Sequence, residues 1–138
     1  MDDVFAGSLM TSPVTTVPAD TPAKEAATLM LEEAISSVVV VDEDNQLVGI
    51  LTSTDFVAIA AASDSAAAFS VADHMTTDVV TTTAGASIQA VADLLIEHGI
   101  HHVPVVDETA GVVGMVTTTD LTAYLAGAVD SESARAWT

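Results

Sequence analysis

Two phrases decide the fold of this chain: GILTSTDF at residues 49–56 and GMVTTTDL at residues 114–121. Each is an apolar, strand-like run that ends in hydroxyl residues and an aspartate. Carried outward at a constant offset of 65, the likeness pairs residues 10–56 with residues 75–121 without a gap, and 19 of those 47 positions are identical. MTSPVTTV faces MTTDVVTT, and VVVVDE faces VPVVDE. A unit repeated at fixed spacing implies one supersecondary motif used twice.

Within each copy the pattern changes period in a fixed order. Short strands are expected at residues 14–17 and 79–82. A helix follows, with Thr21 as capping hydroxyl and Pro22 at the first helical position. Ala23, Ala26, Ala27 and Met30 form an apolar stripe of helical spacing, and Ile88, Val91, Ala92 and Leu95 form its counterpart. Gly99 suits a helix end. Two β-branched runs, residues 38–41 and 103–106, lead through acidic or polar turns into strands at 47–51 and 112–116, the signature of hairpins. Closing helices are expected at residues 55–62 and 120–128. The fold class is therefore α/β (α+β), two tandem β-α-β-β-α units, with residues 8–66 as the first repeat, 73–128 as the second and 129–138 as a tail. Residues 63–66 read as the linker. A unit of some 50 residues buries too little surface to stand alone, so the halves are expected to pack with pseudo-twofold symmetry and leave two equivalent clefts.

Charge sets the partners. The 138 residues carry 20 acids against one lysine, Lys24, and one arginine, Arg135, for a net charge of -18. Duplex nucleic acid and anionic membranes demand clustered cations, so neither is an expected partner. Half the residues are hydrophobic, which argues against a disordered acidic protein. Scarce lysine beside a normal core suggests a salt-rich cytoplasm, where a Debye length of a few ångström mutes self-repulsion. Cysteine is absent, which excludes disulfides and thiolate chemistry. No apolar run reaches the length of a membrane span, and Met1-Asp2-Asp3 lacks the basic start of a secretory signal. The cytoplasm is the expected compartment.

The repeated phrase places T-x-x-D where a strand becomes a helix. Thr52 with Asp55, and Thr117 with Asp120, suit a capping box in which hydroxyl and carboxylate satisfy the exposed helix-start amides. The same geometry offers donors to a phosphate and an acceptor to ribose hydroxyls. Both readings stay open on spacing alone. His98, His101 and His102 have imidazole chemistry for a metal, but a partly exposed helix end explains them equally, and no metal site is expected. The repeated Asp-Glu pairs at 42–43 and 107–108 read as solvated turns. No G-x-S-x-G, P-loop or Cys/His nucleophile occurs, so an enzyme is not expected.

The segments LMTSPVTTV, SSVVVVDEDNQLVGILTSTDF, HMTTDVVTT and IHHVPVVDETAGVVGMVTTTDL together resemble a pair of CBS (cystathionine β-synthase) domains over about residues 8–128. The resemblance implies an intramolecular module that binds AMP, ADP, ATP or S-adenosylmethionine in its clefts and signals to a regulated protein on another chain. Carried over, Asp55 and Asp120 would hold ribose hydroxyls. Thr52, Thr54, Thr117 and Thr119 would contact phosphate or ribose. Backbone at Thr15 and Val80, and at Ile35, Ser36 and Ser37 with Ile100, His101 and His102, would frame the base. Relatives often bring histidine and arginine to phosphate just before the second strand. His101 and His102 hold those places in the second repeat, whereas Ser36 and Ser37 hold them in the first. With so few cations, a triphosphate would need Mg²⁺ or K⁺ as a bridge. The resemblance also implies a homodimer, and a ligand-independent assembly module is the alternative function.

Overall fold

The structure, a computed structural model, describes residues 4–62 and 69–128. The expected linker at 63–66 and the tail with Arg135 and Trp137 lie outside the described residues. The elements run α1 (Ala6–Leu9), β1 (Thr16–Val17), α2 (Ala23–Glu33), β2 (Ser37–Val41), β3 (Leu47–Thr52), α3 (Ser53–Ala62), a 3-10 turn (Val71–Asp73), α4 (Ile88–His98), β4 (His102–Asp107), β5 (Gly111–Thr117) and α5 (Thr118–Ala128). This is the expected mixed α+β class. No helix among the described residues is long and apolar enough to cross a membrane.

The chain divides into two compact units, and neither is one uninterrupted stretch. Of the described residues, one contains those of Val14–Val79 and Thr109–Val112; the other contains those up to Pro13, Val80–Glu108 and those from Val113 to residue 128.

In the first unit β2 is the central strand of a three-stranded sheet, parallel to β1 and antiparallel to β3. Val38, Val39 and Val40 are all fully buried, as a central strand covered on both faces requires, and this is why its sequence is a continuous apolar run. Val38 and Val40 pack with Val17, Leu51 and Val71 against Ala26 and Met30 of α2. The helical stripe thus faces the sheet as its spacing predicts. The start of α2 differs from expectation. Pro22, not Thr21, is the N-cap, and no side chain caps the helix. Thr21 is buried, and its carbonyl accepts from Val71 N–H at 2.8 Å. Proline fixes φ for the entry, and the first helical amide, Ala23 N–H, donates instead to the Phe69 carbonyl at 2.8 Å.

The hairpin turn of this unit uses its acids as turn formers. Asp42 Oδ1 accepts from the N–H groups of Asp44 and Gln46, both at 2.9 Å. Asn45, at φ 63°, donates through Nδ2 to the carbonyls of Ala110 (2.9 Å) and Val112 (2.8 Å), and its own carbonyl accepts from Val112 N–H at 3.0 Å. Gly111 has φ 80°, and a Cβ there would lie 2.0 Å from the Asn45 carbonyl oxygen. Only glycine fits.

The second unit has a two-stranded sheet, β4 with β5. The strand expected at residues 79–82 is reduced to a single parallel bridge between Thr82 and Val105, and of the strand expected at 14–17 only Thr16–Val17 forms. Val103, Val105 and Val116 pack against Val91 and Leu95 of α4 and against Ala6 of α1. Ser87 caps α4 by accepting from Ala90 N–H at 3.1 Å. Gly99 ends it in the left-handed region at φ 61°.

Each unit is completed by a segment that begins the other repeat. Thr76 exchanges two backbone hydrogen bonds with Ile50, both 2.9 Å, and Thr11 exchanges two with Met115, at 2.8 and 3.1 Å. Thr11 and Thr76 are equivalent positions of the duplication, as are Ile50 and Met115. A Cβ on Gly49 would meet Met75 Sδ at 2.7 Å, and one on Gly114 would meet Met10 Sδ at 2.3 Å. The glycine of each repeated phrase is thus a notch that receives a methionine from the opposite repeat.

Candidate functional site

In both units a β-strand passes into a helix with no intervening loop: β3 into α3 at Thr52-Ser53, and β5 into α5 at Thr117-Thr118. The closing helices therefore begin two residues before the expected Asp55 and Asp120, which fall in their first turns.

The capping geometry is present at both junctions. Asp55 Oδ2 accepts from the Thr52 N–H at 2.8 Å and from its hydroxyl at 3.2 Å. Asp120 Oδ2 accepts from Thr117 N–H at 2.8 Å, while Thr117 Oγ1 accepts from Asp120 N–H at 3.2 Å. The described bonds converge on one oxygen of each carboxylate. Both aspartates are half-buried, and Thr54 and Thr119 are exposed beside them.

Register gathers the remaining first-repeat positions at the same end of the sheet. Ser37 opens β2 opposite Thr52, which closes β3. Ser36 carbonyl accepts from Ser53 N–H at 3.0 Å, and Thr15 carbonyl accepts from Val39 N–H at 3.3 Å. Thr15, Ile35, Ser36, Ser37, Thr52, Thr54 and Asp55 thus share one edge. Ser37 is buried, Ile35 is half-buried and Ser36 is exposed. Two residues not singled out from sequence join them. Glu33, the last residue of α2, accepts from the Thr15 hydroxyl at 2.5 Å, and Ser53 carries the bond to Ser36. Lys24 is elsewhere. It lines a groove of about 550 Å³ with Val17, Pro18 and Glu32 among others, and nine residues of helix, about 14 Å, separate it from Glu33.

The second unit builds its junction differently. Thr118 N–H donates to the His101 carbonyl at 3.0 Å, and His101 Nδ1 lies 3.3 Å from Thr118 Oγ1. His102 begins β4 half-buried, with Ile100 half-buried before it. Burial, and then the neighbouring His101 charge, hold the His102 imidazole below its ordinary 6.5, because both disfavour the cation. Val80 is half-buried two residues before the bridging Thr82. Among the described residues no three His, Asp or Glu side chains form a metal-holding group.

The chain matches the model of the CBS domain twice, over residues 6–62 and 71–127. It belongs to the CBS domain family. The CBS domain pair of protein MJ0100, solved in complex with 5-methylthioadenosine and S-adenosyl-L-methionine, is 28% identical with a TM-score of 0.85, covering 92% of this chain and 99% of that one. A putative acetoin utilization protein (AcuB) from Vibrio cholerae is 25% identical with a TM-score of 0.83, covering 94% and 95%. Inosine-5'-monophosphate dehydrogenase of Nitrosopumilus maritimus (strain SCM1) is 33% identical over 117 residues, 85% of this chain but 23% of that enzyme. The CBS pair spans about a quarter of the length of the enzymes it matches, 23% and 25% for the first two, so the likeness reaches only a part of each.

Proposed function

We propose that this CBS pair is a regulatory sensor that binds an adenosine-type ligand at its strand-to-helix junctions and reports occupancy to a partner protein. The observation that carries the reading is the duplicated cap. At each junction a half-buried aspartate is fixed through one oxygen, Oδ2, so the other can accept from the paired hydroxyls of a ribose. A prepositioned acceptor forfeits little side-chain freedom on binding. The 28% identical MJ0100 pair, which carries two adenosine-type ligands, supports the ligand class.

In this reading Thr52, Thr54, Thr117 and Thr119 contact ribose or phosphate. The backbone at Thr15, Ile35, Ser36 and Ser37, and at Val80, Ile100, His101 and His102, frames the base. The second junction is the better phosphate site, since its imidazoles replace two serines. The first suits an uncharged or sulfonium tail such as that of S-adenosylmethionine, and a triphosphate needs Mg²⁺ or K⁺ as a bridge. Ligand shifts the partner equilibrium through its differential affinity for two states. Thermal melts in molar KCl with AMP, ADP, ATP and S-adenosylmethionine test this. Binding raises the midpoint by mass action, and Asp120→Ala removes the gain with AMP. No shift with any of the four at millimolar levels defeats the reading.

Exposed apolar side chains favour a second reading, ligand-independent assembly. Leu31 and Ile96, equivalent positions on α2 and α4, are 82% and 79% exposed, and Val57 on α3 and Leu125 on α5 are 69% and 65% exposed. Helix faces of this kind suit a homodimer. Sedimentation in high salt separates the two: a tight dimer indifferent to nucleotide favours assembly.

A further inference from the structure

Glu33 stands in a place that helix electrostatics disfavours. It is the last residue of α2, where the helix dipole is negative and a carboxylate is repelled. The equivalent residue of the second repeat is His98, the kind of side chain that end prefers. Glu33 is also held in place. The Thr15 hydroxyl donates to its Oε1, and Thr15 carbonyl is in turn bonded to Val39 of the central strand. The second repeat has Val80 in place of Thr15, so it lacks both the carboxylate and the hydroxyl that orients it. An exposed acid, fixed at an unfavourable helix end beside Ile35, Ser36 and Ser37, presents an acceptor and no donor.

We infer that Glu33 is a specificity residue that makes the first junction select a 6-aminopurine over a 6-oxopurine. This rests on the reading that the base lies against the backbone at Thr15 and residues 35–37. A 6-amino group donates to the carboxylate. A 6-oxo group turns lone pairs toward the carboxylate and forfeits that charge-assisted hydrogen bond, so it is held less tightly. The second junction, with His98 and Val80 at these positions, does not share the device.

Calorimetric titration of adenosine and inosine in molar KCl tests the inference, with Asp120→Asn silencing the second junction. Adenosine binds about tenfold or more tightly than inosine. Adding Glu33→Gln, whose amide both donates and accepts, brings the two within about twofold, chiefly by improving inosine. Thr15→Val, which frees the carboxylate, gives an intermediate ratio. Should Asp120→Asn not fold, the same ratio is compared between the otherwise unaltered chain and Glu33→Gln, since the second junction is common to both. Equal binding of adenosine and inosine, abolished for both by Asp55→Asn, overturns the inference and leaves the sensor reading standing. A tenfold ratio unchanged in Glu33→Gln overturns it as well. Binding of neither nucleoside overturns the sensor reading and the inference together.

Discussion

The two halves of this CBS pair are alike where they hold the backbone and unlike around the candidate site. Both place an aspartate on the amide three residues earlier, Thr52 in one and Thr117 in the other, at the same 2.8 Å. Both seat a methionine against the glycine of the repeated phrase. Around these fixed points the residues diverge: Glu33 against His98, Thr15 against Val80, Ser36 and Ser37 against His101 and His102. Duplication supplied two copies of one frame, and the positions at the rim took on different chemistry. The frame tolerates this because none of these residues belongs to the apolar cluster of its unit.

The sharpest break in the likeness is at the hairpin turns. Gly111 and Gln46 are equivalent positions, yet Gly111 lies at φ 80° against the Asn45 carbonyl, while Gln46 sits at a half-buried position in its own turn. Gly111→Ala is expected to cost about 3 kcal/mol or more, from strain and backbone collision. Gln46→Ala is expected to stay within about 0.5 kcal/mol. Chemical denaturation in molar KCl measures both, and similar losses would remove the asymmetry.

A smaller contrast lies at the helix ends. Ala34 and Gly99 are equivalent and both left-handed, at φ 55° and 61°. Alanine is strained there and glycine is not. Ala34→Gly is expected to stabilise by roughly 0.5–1 kcal/mol and Gly99→Ala to destabilise by about 1 kcal/mol. Open space surrounds a Cβ at Gly99, so the backbone effect is isolated. Changes of the same sign would break the comparison.

The smallest effect concerns His102, whose counterpart Ser37 does not titrate. Its folded pKa lies below 6.5, so the folded state binds the proton less readily than the unfolded chain. Its contribution is complete above 6.5 and is lost as pH falls from 6.5 through the lowered folded value. The melting temperature is therefore expected to fall more steeply between pH 7 and 5 in the unaltered chain than in His102→Gln. Equal slopes would show that His102 adds nothing to the difference between the halves.

Much of this architecture was legible from periodicity. The offset of 65, the alternation of strands and stripes, and Gly99 as a helix end each rest on local patterns that one residue's neighbours reveal. What differed from the reading has one distant cause and one local cause. Thr21 has the chemistry of a cap, but its place in the bonding of Val71 depends on chain 50 residues away. The helices after β3 and β5 begin at Ser53 and Thr118 because the cap reaches back to the last strand residue, not forward from the aspartate. Thr15 meets Glu33 across 18 positions, a separation no periodic pattern encodes. The identity of Asp55 and Asp120 as capping acids was visible in T-x-x-D, whereas Glu33 had no signal beyond its contrast with His98.

The traded segments bear on how such a protein can be assembled at all. A polypeptide holding one repeat carries a methionine arm and a glycine notch that in this chain do not pair within one copy. To have its notch filled as it is here, from another copy, it needs a sister molecule, at whatever concentration the cell maintains. Joining two copies in a single chain turns that encounter into an internal one, with an effective concentration on the order of millimolar, so that closure no longer depends on abundance.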